Sequence, residues 1–267
     1  MKVLPPARLR RILLPALFGL GILGLWLGAK AWANLPDYQL PGPLSIFQAS
    51  VDQAPVLLNA AWQTGLAAVI GFVTAVFAGF FIAMLLGFHA WIREMLFPWV
   101  LFLQMIPVVI LAPIFVLWLG QGLPSITAVT FIISFFPIVA NTVHGFSSVP
   151  LTMVDLFRMG GAKPMQELWQ LRVPFALPFF LTGVKIAATV APIGAITGDI
   201  LAGAKSGEEA GLGYIVLLFN SQFNIPALYA SAVMSCLLGF VFVGAVWILS
   251  WWLLKDWHES FTNQRAD

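Results

Sequence analysis

Few side chains in this sequence could do chemistry, and their spacing narrows what that chemistry is. The three histidines, His89, His144 and His258, stand far apart, and the single cysteine, Cys236, has no partner, so zinc-ligand spacing is missing. No Gly-x-x-x-x-Gly-Lys-Ser/Thr run is present to cradle a nucleotide phosphate, and Gly160-Gly-Ala-Lys163 has the wrong spacing. No Gly-x-Ser-x-Gly elbow or close pair of intramembrane carboxylates offers nucleophilic or acid–base catalysis. What remains is a scatter of polar groups inside apolar runs: Gln63, Gln104, Ser134, Asn141, Lys185, Thr197 and Asp199. Groups of this kind serve as interhelical hydrogen-bonding glue or line a solute path, and both readings stay open. The chain is not expected to be an enzyme, and no metal or cofactor is expected on it.

The elements that hold these groups follow from where the charges fall. Hydrophobic residues make up 60% of the 267 and charged residues 9%, with a mean hydropathy of +0.94. Soluble domains average roughly 25% charged, so this chain reads as an all-α polytopic membrane protein. A net charge of +2 gives no argument for nucleic acid. Uncharged runs cover residues 12–29, 53–92, 95–154 and 210–254. At about 20 residues per span, these runs, together with the stretch from Pro174 to Asp199 that only Lys185 interrupts, hold six helices near 12–32, 62–88, 95–119, 125–146, 175–199 and 227–253. Gly120-Gln-Gly-Leu-Pro124 turns between the third and fourth, and Pro107, Pro113 and Pro137 are expected to kink these two. Residues 44–58 could lie along the interface as an amphipathic helix. The expected organisation is an N-terminal helix with an outer segment over 1–61, a five-helix core over 62–256, and a tail over 257–267.

Orientation follows from Lys and Arg. Lys2, Arg8, Arg10, Arg11, Arg93, Arg158, Lys163, Arg172, Lys255 and Arg265 fall on one side, against Lys30 and Lys205 on the other. Both termini and the loop 147–174 are therefore expected in the cytoplasm of a bacterial inner-membrane protein. Arg8-x-Arg-Arg11 before an apolar run and Ala31-Trp-Ala33 after it also resemble a cleaved signal, but that run is longer than the roughly 7–15 residues of a signal core. The first span is read as retained.

The loop 147–174 is apolar for a segment outside the membrane. Thr152 with Asp155 forms a capping-box-like start, and Leu156, Phe157 and Met159 give a short helix an apolar face. Gly160-Gly161 stops it. Pro164 begins a second short helix with Leu168, Trp169 and Leu171 as its buried stripe. Two short amphipathic helices result, either a surface-lying connector or a helix that docks into a partner's groove.

The loop resembles the "EAA" loop of ATP-binding-cassette importer permeases, patterned Glu-Ala-Ala-x3-Gly-x9-Ile-x-Leu-Pro. Here the register is Asp155-Leu156-Phe157, Gly161 and Leu171-x-Val173-Pro174, with Asp for Glu and bulkier residues for Ala-Ala. Tyr38-Gln-Leu-Pro-Gly-Pro43, Ala191-Pro-Ile-Gly-Ala-Ile-Thr-Gly-Asp199 and Gly211-Leu-Gly-Tyr214 are similar to the nitrate, taurine, alkanesulfonate and thiamine-precursor group. The resemblance implies a type I importer permease fold with a coupling loop between helices 4 and 5. It implies two ATPase subunits carrying ATP and Mg, an extracytoplasmic solute-binding protein and a second permease copy. In that setting Asp155, Leu156, Phe157, Met159, Gly160, Gly161, Leu171 and Pro174 would couple to the ATPase. Gln104, Asn141, Lys185, Thr197 and Asp199 would be the candidates for the path of a small polar solute, a thiamine pyrimidine precursor, sulfonate or nitrate. The competing class is a self-contained secondary transporter or channel, which would want intramembrane ion-binding acids and an internal repeat.

Overall fold

The computed structural model describes residues 6–203 and 210–254, and all regular elements among them are helical. They are α1 (Pro6–Trp32), α2 (Pro43–Asp52), α3 (Ala54–Phe88), α4 (Ala90–Met105), α5 (Val108–Leu119), α6 (Leu123–Ser147) and α7 (Leu151–Met159). Then follow α8 (Pro164–Glu167), a π-helical turn (Leu168–Arg172), α9 (Val173–Ala202), α10 (Leu212–Ser221) and α11 (Ile225–Leu254). Helices are what such a sequence must form in lipid, because every backbone N–H and C=O needs an internal partner there. Among the described residues five helices are long and apolar enough to cross a membrane, or six if the bent pair α4–α5 counts as one span. The expected Lys2, Lys205, Lys255, Arg265 and His258 positions lie outside the described residues.

The bundle centres on α3, α6 and α9, which meet through small residues. Ala187, Ala188, Ala191 and Ala195 of α9 are fully buried with Ala67, Ala75 and Ile138. A Cβ at Gly183 would lie 2.7 Å from the Pro137 carbonyl oxygen, and one at Gly71 would lie 2.6 Å from Thr130 Cβ. Lipid offers no hydrophobic gain for helix association, so close backbone approach and dispersion hold these helices together.

The break between α4 and α5 falls at Ile106-Pro107, where the axes diverge by 96°. Pro107 lacks an N–H and pushes Ile106 out of the helical region, to φ −73° and ψ 121°. Pro113 and Pro137, also expected to kink their spans, interrupt neither α5 nor α6. Two hydrogen bonds fix the course of the pair. Arg93 Nη1 donates to Ser147 Oγ at 2.5 Å, tying the start of α4 to the end of α6. Gly122 N donates to Ala202 O at 2.9 Å, tying the start of α6 to the far end of α9. The bent pair thus runs from one end of the bundle to the other, a broken span rather than a re-entrant hairpin.

At the end away from the loop, α2 and α10 close over the starts of α3 and α11, with Ile46, Leu57, Leu212 and Phe219 in one apolar cluster. α2 covers part of the expected interfacial segment. α3 begins at Ala54 rather than near 62, so the division at 61/62 falls inside a continuous helix. α10 is an element the spacing of charges does not announce. α1 packs outside, touching the bundle through Trp26 against Tyr229 (centroids 6.2 Å apart).

Candidate functional site

The loop between α6 and α9 is built from backbone requirements first. α7 starts behind Pro150 without a side-chain cap, so the expected capping box between Thr152 and Asp155 does not form: Thr152 lies inside the helix. Val154 turns inward and is buried, whereas Leu151, Met153, Leu156 and Met159 are exposed, Met159 by 79%. Phe157 is half-buried and Asp155 exposed. α7 ends in a Schellman motif. Ala162 N donates to Phe157 O and Gly161 N to Arg158 O, each at 3.0 Å, with Gly161 at φ +74°. Nothing lies within 4 Å of a Cβ built at Gly161, so its glycine serves this left-handed turn rather than a close approach inside the chain.

Pro164 opens α8, and Lys163 N donates to Gln166 Oε1 at 2.8 Å. The π-helical turn that follows slips the register by one residue per turn. Leu168 is buried while Trp169 is half exposed and Leu171 half-buried, which corrects the expected stripe of Leu168, Trp169 and Leu171. Pro174 sits in the first turn of α9.

Under α7 and α8 lies a charge cluster that sequence reading passes over. Glu167 is buried and accepts from Arg172 Nε at 2.8 Å, Arg172 Nη2 at 2.6 Å and Arg158 Nε at 3.1 Å. Arg172 Nη1 also reaches Phe146 O at 3.4 Å. The stretch from Pro164 to Ala202 is 39 residues, roughly 58 Å of helix against 30 Å of hydrocarbon, so this charged base lies outside the apolar layer. Burial alone would raise the Glu167 carboxyl pKa, but the two guanidiniums outweigh it and hold it below the ordinary 4.5. Glu167 between Arg158 and Arg172 in the loop was the only sequence signal for it.

At the opposite end, Asp199 is buried between α3, α9 and α10. Thr64 Oγ1 donates to Asp199 Oδ2 at 2.5 Å and accepts from Leu212 N at 2.8 Å; Gly213 N donates to Asp199 Oδ2 at 3.4 Å. The carboxylate thus faces the positive end of α10, and a side chain at Gly211 or Gly213 would run into it. That explains Gly211-Leu-Gly213: the segment is a cradle for Asp199. Thr64, which closes it, carries no sequence signal.

The other path candidates separate. Asn141 Nδ2 donates to Pro137 O at 2.7 Å beside Gly183, and Lys185 Nζ lies 5.1 Å over the Trp247 ring of α11. Thr197 is half-buried on α9 and Gln104 exposed on α4. Gly183 and Asp199 stand 16 residues apart on α9, about 24 Å, so Asn141 and Asp199 do not share a site.

Comparison with known proteins agrees with this architecture. A family described as "Binding-protein-dependent transport system inner membrane component" matches residues 71–253. The formylaminopyrimidine transport permease protein of Halalkalibacterium halodurans is 34% identical over 233 residues, 87% of this chain and 91% of that protein. The bicarbonate transport system permease protein of Synechococcus elongatus is 27% identical over 93% of this chain and 92% of its own length. Among solved structures, inward-facing conformations of the MetNI methionine ABC transporter superpose with a TM-score of 0.63 at 18% identity. That match covers 74% of this chain and 96% of the other, a likeness of fold.

Proposed function

The chain belongs to the family of binding-protein-dependent transport system inner membrane components, and from that premise we propose that it couples solute passage to a separate ATPase pair through α7. The observation that carries this is the face of α7: Leu151, Leu156 and Met159 stand exposed on a helix outside the apolar layer, while Val154 and a Schellman turn fix its pose. Exposed apolar side chains on a rigid, projecting helix are the signature of a docking knob. Asp155 sits on the same helix, placed to meet a basic residue of the groove. In this reading the loop end is cytoplasmic, α2 and α10 face an extracytoplasmic binding protein, and a second permease copy completes the path. ATP binding closes the ATPases around the two α7 helices and rocks the bundle between two states.

The solute is a small polar molecule. The related permease of Halalkalibacterium halodurans is named for formylaminopyrimidine, and the Ala191-Pro-Ile-Gly run points the same way, to a pyrimidine of the thiamine-precursor type. The deciding experiment is co-purification of a tagged chain from its native host in mild detergent, wild type beside the double variant Leu156→Glu, Met159→Glu. Both positions are exposed, so the bundle itself is untouched. A Walker-motif ATPase retained by wild type and lost from the variant supports coupling; equal recovery by both would refute it.

A further inference from the structure

Beneath the loop, the bundle holds a cavity of about 610 Å3 whose titratable lining is His89, Arg93, Arg158, Arg172 and Glu167. His89 aside, three guanidiniums face one carboxylate, an excess of two positive charges. The geometry keeps that excess unspent. Glu167 already takes Arg172 and one donor of Arg158, and Arg93 gives one N–H to Ser147 Oγ. Each guanidinium carries five N–H donors, so Arg93 and Arg158 retain most of theirs for an anion. Arg93 and Arg172 are half-buried and Arg158 stands exposed at the rim, so the excess charge is open to an anion arriving from outside.

A second groove, of about 460 Å3, begins at the same two residues, Arg93 and Ser147, and runs between α4 and α6 over Phe97, Pro98, Ala140 and Val143. Its other polar lining residues, Glu94 and His144, are both exposed, Glu94 next to Arg93 in sequence. An arginine-lined polar cavity that continues into a mostly apolar groove between two membrane helices has the two-part form of a phospholipid. We propose that this is a binding site for an anionic phospholipid of the cytoplasmic leaflet: the phosphate and headgroup between Arg93, Arg158 and Arg172, one acyl chain along α4 and α6. The placement in the cytoplasmic leaflet rests on the orientation proposed above. The site ties the lipid to α7 and to the base of α9 at once, so an occupied cavity stiffens the loop that carries the docking knob.

The test is native mass spectrometry of the purified permease with dioleoyl phosphatidylglycerol, dioleoyl phosphatidylcholine, dihexanoyl phosphatidylglycerol and inorganic phosphate. Wild type should retain the anionic dioleoyl lipid over the zwitterionic one. Arg93→Gln and Arg158→Gln should each weaken it roughly fivefold, about one charge near a lipid surface, and Arg93→Lys should largely restore it and report that the fold is intact. Ala140→Phe, which fills the groove, should weaken the dioleoyl lipid and spare the dihexanoyl one. Displacement of the lipid by millimolar phosphate, with no effect of Ala140→Phe, would assign the cavity to a free anion and overturn the lipid. Equal retention of the two dioleoyl lipids, or no loss in either glutamine variant, would overturn the site altogether. The permease alone is measured, so loss of ATPase co-purification with lipid selectivity intact would refute coupling and leave this site standing.

Discussion

Replacing Glu167 by glutamine tests the charge cluster that seats the loop. The variant keeps the shape and one carbonyl acceptor but removes the charge that two guanidiniums share. Arg172, whose side chain is 24% exposed, makes two short bonds to Oε1, and charge-assisted bonds contribute roughly 1.5–3 kcal/mol each. The two act on one oxygen and Gln retains part of them, so about 2 kcal/mol is lost there. Arg158 is 61% exposed, and solvent screening leaves its pair at about 0.5 kcal/mol. The sum, about 2–3 kcal/mol, corresponds to a fall of roughly 4–12 °C in Tm for a domain of this size. Thermal unfolding in mild detergent, followed by tryptophan fluorescence, reads it. Arg172→Gln and the double variant complete a cycle. If the hub is real, the double variant loses little more than either single one, with a coupling of about 1.5 kcal/mol or more. Additive losses would show that Glu167 and Arg172 act independently, and the account of the loop's seating would fall.

The same carboxyl sets a pH dependence. Its folded pKa lies below 4.5, so its stabilisation is complete above that value and disappears as pH falls through the folded pKa. The Tm gap between wild type and Glu167→Gln should stay level from pH 8 to about 5 and narrow only below about 4.5; narrowing already between pH 7 and 6 would contradict the assignment. Thr64→Val should leave Leu212 N and Asp199 without their shared partner and cost about 1–3 kcal/mol, read as a lower Tm with faster amide exchange confined to α10. Gly183→Leu should drive a side chain into the Pro137 carbonyl and cost at least about 1–3 kcal/mol. Gly239→Ala on α11, with nothing within 4 Å, should be close to neutral in the same melt.

The sequence by itself determined the class, the spans and the loop. Charge gaps suffice for spans because lipid tolerates few charges and forces helical backbones, so α6, α9 and α11 fall within a few residues of their expected places. Gly160-Gly161 and Pro164 announced the hinge because their backbone preferences are local: Gly161 takes the left-handed turn and Pro164 opens α8. The Asp155 to Pro174 spacing announced the family for the same reason, being a pattern within one segment. Only the tertiary structure decided which polar groups meet. Thr64 lies 135 residues from Asp199, and nothing local to either predicts their bond or the glycine cradle around it. Glu167 looks like an ordinary solvated loop acid until α6, α8 and α9 enclose it with two arginines. The capping box at Thr152 failed because Pro150 starts the helix earlier, and the Trp169 stripe failed because one π turn rotates the register. Pro107, Pro113 and Pro137 look alike in sequence, but at Pro107 α4 ends and the axis turns by 96°, while the other two are carried inside continuous helices. Side chains placed by short-range backbone rules were legible; those placed by packing between distant helices were not, because that packing depends on which small residues let the helices approach.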